Sequence, residues 1–229
     1  MGLRSAALVL AGVVVVATAL PLGWLAVREP FTTSFMVWSR FSDPATGRAC
    51  PGVDYRFVER RAIAPALRRA VVLAEDQRFL EHGGVDLRQV ERVVEERGDG
   101  GPMRGASTLS QQLAKNLFLW PGRSWLRKGL EAWFTLWLEL ALSKQRILEL
   151  YLNVAQFGPC VFGAEAAAQR YFGTSAAALT PRQAALLAAV LPSPGRISAA
   201  DPGPYARQRT REILALMRDT RDAPWLRGL

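Results

Sequence analysis

Two carboxylates and a basic cluster carry the chemistry this sequence offers. The first acid lies in Ala74-Glu75-Asp76-Gln77-Arg78-Phe79-Leu80-Glu81-His82-Gly83-Gly84. Pro65 suits a first helical position, and Leu67, Ala70, Val71 and Ala74 repeat at the spacing of a buried helical stripe. Glu75 therefore falls at the negative end of a helix, where a carboxylate is poorly placed. An acid held there among apolar neighbours has a raised pKa, which suits it to taking a proton near neutral pH. A pair of acids facing water at a helix end, with Phe79 as a core anchor, explains the same residues.

The second group follows at Thr108, Gln111, Gln112 and Lys115, which share one helical face at i, i+3, i+4 and i+7. Two amides and an ammonium in a row could hold a sugar and a phosphate, and a solvated surface face has the same pattern. Arg123, Arg127 and Lys128 then precede Glu131. Glu131 lies four residues after Arg127 and three after Lys128, the spacing of an intrahelical ion pair. If it faces a cleft instead, it is a second carboxylate beside cations. Two carboxylates and a cationic patch are what glycosyl transfer from a diphosphate needs.

The elements that must position these residues are helices throughout. Asp86 and Gln89 cap a helix over 87–97, and a glycine-rich stretch, Gly98 to Pro102, follows as a candidate mobile gate or plain connection. Thr108 with Gln111 forms a capping box. Residues 131–142 are apolar nearly all round, which predicts a helix at the centre of the fold that is too short to be a second membrane span. Ser143 caps a helix over 144–153, Gly173 closes an Ala-rich helix from Gly163, and Thr180-Pro181-Arg182-Gln183 opens another that stops at Pro192. A last helix runs from Tyr205 to Met217, its arginines read as surface. No alternating run supports a strand, so the fold class is all-α.

Around this body, Ala6 to Val27 runs 22 residues without a charge, enough to cross a hydrocarbon core of about 20 residues. An anchor over 1–28, a membrane-proximal segment over 29–60 and a catalytic domain over 61–229 are the expected organisation. Arg4 on one side and Arg28 and Arg40 on the other leave orientation undecided. Aromatic residues from Phe31 to Phe57 fit either a headgroup layer or a small packed subdomain. The formal net charge of +9 comes mostly from arginine and suits diphosphates or anionic lipid heads. Zinc-finger and RNA-recognition signatures are absent, so nucleic acid is not expected as a partner. His82 is the only histidine, which excludes a multi-histidine metal site. Cys50 and Cys160 could pair in an oxidising compartment, but the sequence does not place them together.

These residues also fall into an ordered series. Glu75-Asp76-x-x-Phe79-x-x-His82-x-Gly84 resembles the first motif of the family 51 glycosyltransferases, the peptidoglycan glycan polymerases. Gly105-Ala106-Ser107-Thr108-x-x-Gln111-Gln112-x-x-Lys115-Asn116 is similar to the second, Arg127-Lys128-x-x-Glu131 to the third, and Lys144-x-x-Ile147-Leu148-Glu149-x-Tyr151-Leu152-Asn153 to the fourth. Leu191-Pro192-Ser193-Pro194 resembles the weaker fifth. Four motifs in register over about residues 31–202 make a specific signal.

The resemblance implies a lysozyme-like α fold with an N-terminal transmembrane helix, anchored singly in the inner membrane of a Gram-negative cell with its catalytic domain in the periplasm. It implies lipid II and the growing glycan strand as substrates, with membrane lipids and other cell-wall synthesis or division proteins as partners. Glu75 is implied as general base and Glu131 as a second catalytic carboxylate. Asp76, Phe79, His82, Ser107, Thr108, Gln111, Gln112, Lys115, Asn116, Arg123, Arg127 and Lys128 are implied as substrate contacts. No cofactor or protein-held metal is expected, and Mg2+ or Mn2+ would ride on the substrate diphosphate. The chain ends soon after the fifth motif, so no transpeptidase domain is expected. Leu109-Ser110 in place of Ile-Thr should be neutral, and Pro159-Cys160 stands where more flexible residues are usual. A glycan hydrolase would need no diphosphate-binding cations, and a scaffold would have no use for the two carboxylates.

Overall fold

Residues 3–98, 107–122 and 124–229 are described by the computed structural model. The order is α1 (Leu3–Val27), α2 (Ser34–Ser39), β1 (Asp54–Tyr55), α3 (Pro65–Glu75), α4 (Leu87–Gly98), α5 (Leu109–Phe118), α6 (Trp125–Ala141), α7 (Lys144–Val154), β2 (Gln156–Gly158), β3 (Val161–Phe162), α8 (Ala164–Phe172), α9 (Pro181–Val190) and α10 (Pro204–Asp219). Several helices begin where a side chain satisfies one of their first backbone N–H groups. Thr108 and Thr180 each form a reciprocal capping box, with Gln111 and Gln183 respectively. Ser124 and Ser143 each accept from the backbone N–H three residues on.

Packing falls into two groups, which hydrogen bonds between the end of α3 and α5 connect. In one, α3 lies on α9 and α9 on α10; in the other, α5 lies against both α6 and α7. Ala184, Ala185, Ala188 and Ala189 of α9 are buried, and their small size lets backbones approach closely. The apolar row Leu109, Leu113 and Leu117 is buried as its spacing predicts, each leucine contributing roughly 1.5–3 kcal/mol.

Three very short strands depart from the all-α expectation, although the molecule is mostly helical. Their order is β1-β3-β2, with β1 parallel and β2 antiparallel to β3. Strands of two or three residues are too short to show a period of two, so no pattern could announce them. Gly163 follows β3 at φ +87°, and a Cβ there would lie 2.4 Å from the Asn153 carbonyl oxygen; only glycine fits.

The segment before α3 is tied into the helical body. Cys50 and Cys160 form a disulfide across 110 residues of sequence. Beside it the buried Asp43 carboxylate accepts from the Cys160 and Ala45 backbone N–H groups and from the Gln156 amide. Asn153, fully buried, pairs with both backbone groups of Val58 at 2.9 Å. Within α2, Phe35 and Met36 are buried while Val37 and Trp38 are exposed, so the segment has both an inward and an outward apolar face.

The apolar α6 is not central, against expectation. Its buried residues are Arg127, Glu131, Thr135 and Leu138, whereas Trp125, Leu126, Trp133, Leu136 and Leu140 are exposed. The apolar residues outnumber what one buried stripe can hold, and the polar stripe is the one the site claims. α1 lies against part of this helix, with Trp133 Nε1 donating to Thr18 Oγ1 at 3.3 Å. Among the described residues no helix is long and apolar enough to cross a membrane; α1 extends over 25 residues, and its side chains are described only in part.

Candidate active site

Glu75 is the last residue of α3 and is half-buried. Gln112, one turn into α5, donates its amide Nε2–H to Glu75 Oε2 at 2.9 Å. Burial pushes the Glu75 pKa above the ordinary carboxylate value, and the Gln112 hydrogen bond, then Arg209 and Lys115, partly offset that rise. Arg209 comes from α10 and donates to the Ala74 carbonyl at 3.2 Å, which caps the negative end of α3 with a cation. The arginines of α10 are expected at the surface, and Arg209 departs from that because α10 packs beside α3 and brings it to the helix end.

The rest of the first motif holds α3 against α5. Asp76, buried, accepts from the Leu109 N–H at 3.0 Å at the start of α5 and lies 2.9 Å from His82 Nε2. The Gly84 N–H donates to His82 Nδ1 at 3.1 Å, so Nδ1 is an acceptor and the ring proton sits on Nε2, facing Asp76. Phe79 has no exposed surface and lies under the Lys144 ammonium at 4.6 Å. Gly84, at φ +96°, presents its carbonyl to Thr108 Oγ1 at 2.6 Å, and a Cβ on it would meet Thr135 Cγ2 at 2.6 Å. Asp76 and His82, expected as substrate contacts, spend their polar atoms on each other and on the backbone of Leu109 and Gly84. Thr108 and Gln111 do likewise, since each caps the other, and Asn116 is buried.

The cations gather one turn along α5 and at the start of α6. Arg127 Nη1 pairs with Glu131 Oε2 at 2.7 Å, and Lys128 pairs with Glu131 Oε1 and reaches Ser107 Oγ at 3.3 Å. The intrahelical ion pair allowed by the spacing is thus formed, and it is buried at the site. Arg127 Nε is buried with no hydrogen-bond partner among the described residues. Lys115 is half-buried, with Phe35 of α2 at 5.6 Å from its ammonium. Desolvation lowers its pKa, opposed by Glu131 and reinforced by Arg127 and Lys128. Lys115 and Glu75 lie close enough that the charge of each perturbs the other. Arg123, the stretch 99–102 expected as a gate, and Gly105-Ala106 of the second motif lie outside the described residues.

The fourth motif works through the fold. Lys144 pairs with Glu139 at 2.7 Å, and Glu149 accepts from the Arg60 N–H at 2.6 Å. Tyr151 is buried, and its hydroxyl donates to Gln112 Oε1 at 2.9 Å; the sequence shows it only as part of a buried stripe. Asp43, Cys50 and Cys160 are the one metal-like grouping among the described residues, and both sulfurs are committed to the disulfide. The arrangement thus offers a carboxylate of raised pKa on one side of Lys115 and a cluster of fixed cations on the other. That suits removal of a proton from a hydroxyl while negative charge develops nearby.

Comparison with known proteins agrees with this chemistry. A family model described as Transglycosylase matches residues 49–218. A biosynthetic peptidoglycan transglycosylase of Xanthomonas campestris pv. campestris (strain B100) is 48% identical over 212 residues, which cover 92% of this chain and 86% of that protein. A Pseudomonas aeruginosa protein of the same name is 58% identical over 160 residues, 70% of this chain and 68% of that protein. One from Caulobacter vibrioides is 51% identical over 162 residues, 71% of each chain.

Proposed function

This chain belongs to the transglycosylase family, and from that premise we propose that it polymerises peptidoglycan glycan chains from lipid II. Glu75 takes the proton from the 4-hydroxyl of the acceptor N-acetylglucosamine. The freed oxygen attacks the anomeric carbon of the donor N-acetylmuramic acid, whose α bond to the lipid diphosphate breaks. A β-1,4 bond forms with inversion, and undecaprenyl diphosphate leaves. Charge develops on the departing diphosphate, so cations fixed beforehand stabilise the transition state more than the ground state. Lys115, Arg127 and Lys128 fill that role, with Arg123 continuing the cluster in sequence.

The observation that carries the reading is a site with two poles linked through Lys115, which feels the charges of both Glu75 and the Arg127, Lys128 and Glu131 cluster. Glu75 is at one, held by Gln112; at the other, Arg127 and Lys128 are held by the buried Glu131. Glu131 holds Arg127 and Lys128 in place and spends both oxygens on them, so it has no open edge for a cation. Mg2+ or Mn2+ would arrive with the substrate diphosphate, and nothing in the reaction above is assigned to it. A lysozyme-like fold belongs to the same reading.

The reading includes a single-pass anchor, α1, in the cell inner membrane, with the domain in the periplasm. Three features support it. Ala6–Val27 is apolar and uncharged. Trp125, Leu126, Leu136 and Leu140 stand exposed on α6, the helix against which α1 lies, and exposed apolar residues grouped in this way mark an interaction surface. The Cys50–Cys160 disulfide fits an oxidising compartment. Incubating the full-length protein with lipid II and sizing the products tests the activity. Long glycan chains are expected. Shortened glycan from added cell wall would mean a hydrolase, and no product would mean a scaffold.

A further inference from the structure

We propose that Tyr151 is a positioning residue for this reaction, its phenol locking the Gln112 side chain so that the amide N–H, and not the amide oxygen, faces Glu75. The proposal rests on Glu75 being the general base. Three helices contribute one group each to a continuous line. Tyr151 of α7 donates to Gln112 Oε1 at 2.9 Å, and Gln112 of α5 donates through Nε2 to Glu75 Oε2 of α3 at 2.9 Å. The second Nε2 hydrogen points towards the Ser107 carbonyl at 3.5 Å.

Chemistry fixes the polarity of this line. An ionised carboxylate can only accept, so the amide must turn its N–H towards Glu75. The amide oxygen then needs a donor. Tyr151 is 1% exposed, and burial, followed by the nearby Glu75 and Asp76, raises its pKa well above the ordinary phenol value. An ordinary phenol is already protonated at neutral pH, and the rise strengthens that, so it is a donor there. Among the described residues the hydrogen bonds to the Glu75 side chain fall on Oε2, which leaves Oε1 to meet the acceptor hydroxyl. Without the phenol, an amide turned with its oxygen towards Glu75 would stabilise the protonated carboxyl, and a protonated base is idle.

The charged groups facing Glu75 are Asp76 beside it, Lys115 of α5 and Arg209 of α10. Tyr151→Phe leaves all three in place and removes only the donor. The test is the pH dependence of kcat/KM for chain formation from lipid II by the full-length protein. For Tyr151→Phe the acid limb should move to higher pH by about half to one unit, the size of one ordinary hydrogen bond, with the KM for lipid II little changed. Gln112→Met should move it at least as far, and adding Tyr151→Phe to Gln112→Met should move it no further, since the phenol acts only through the amide.

An unmoved acid limb in Tyr151→Phe with a lowered melting temperature would make Tyr151 a packing residue and overturn the proposal. Shifts that add in the double variant would overturn it too. Glu75→Gln separates this failure from failure of the underlying reading. If that variant is inactive while the Tyr151→Phe limb stays put, only the relay falls. If it keeps wild-type turnover and the same limb, the base assignment falls and the relay with it.

Discussion

Glu131 gives the sharpest separation between holding the site together and doing its chemistry. Its side chain is 4% exposed, as against 11% for Arg127 and 43% for Lys128. Glu131→Met leaves the Arg127 guanidinium charged, buried and without its counterion, a loss of about 3–5 kcal/mol. The Lys128 arm is screened by water and adds no more than about 1 kcal/mol. At roughly 2–4 °C per kcal/mol for a chain of this size, the melting temperature should fall by about 6–20 °C. Replacing the pair together, Arg127→Met with Glu131→Met, removes both buried charges, and such swaps are neutral or stabilising. The double variant should therefore melt within a few degrees of wild type and still fail to polymerise lipid II, because its diphosphate-facing cation is gone. Calorimetry on both variants, with chain formation measured on the same samples, decides the matter. A single variant that melts like wild type would refute the reasoning. So would a double variant that melts as low as the single.

Other expectations follow from particular contacts. Gly84→Ala forces an L side chain to φ +96° with its Cβ 2.6 Å from Thr135 Cγ2, so it should cost about 1–3 kcal/mol; an unchanged urea midpoint would contradict this. Cys50→Ser removes a crosslink spanning 110 residues and should cost roughly 2–4 kcal/mol, with dithiothreitol lowering wild type to the same level; equal stability of oxidised and reduced protein would count against it. The raised pKa of Glu75 means the folded chain holds a proton where the unfolded chain has lost it. That group's contribution to stability therefore falls as pH rises from the unfolded pKa through the folded one, and is flat above. Glu75→Gln should lose that slope and be at least as stable as wild type at neutral pH; denaturation across acid to neutral pH showing the same slope in both would oppose it.

Much of the helical frame was legible because helix starts are written locally. The two Thr-x-x-Gln capping boxes, Pro65, Ser143 and Gly173 each occupy the helix end their chemistry predicts. What stayed hidden depends on partners distant in sequence. The strands are too short to carry a pattern, and pairing of Cys50 with Cys160 needs 110 residues of chain to return on itself. Hydropathy alone misplaced α6, because an apolar helix looks the same whether protein or lipid is meant to cover it. The polar face of α5 was visible, but its division of labour was not. Gln111 turns inward to cap, while Gln112 bridges Tyr151 and Glu75. Arg209 reaches the site from the far end of the chain, and no spacing rule links residue 209 to residue 75.

The central claim is that a half-buried carboxylate at the end of α3 draws the proton from the attacking sugar. Single-turnover chain extension from lipid II by full-length Glu75→Gln, alongside a measurement of its lipid II binding, tests this most directly. The account predicts a rate lower by about 10²–10⁴-fold with binding and melting temperature preserved. A rate near wild type would contradict it.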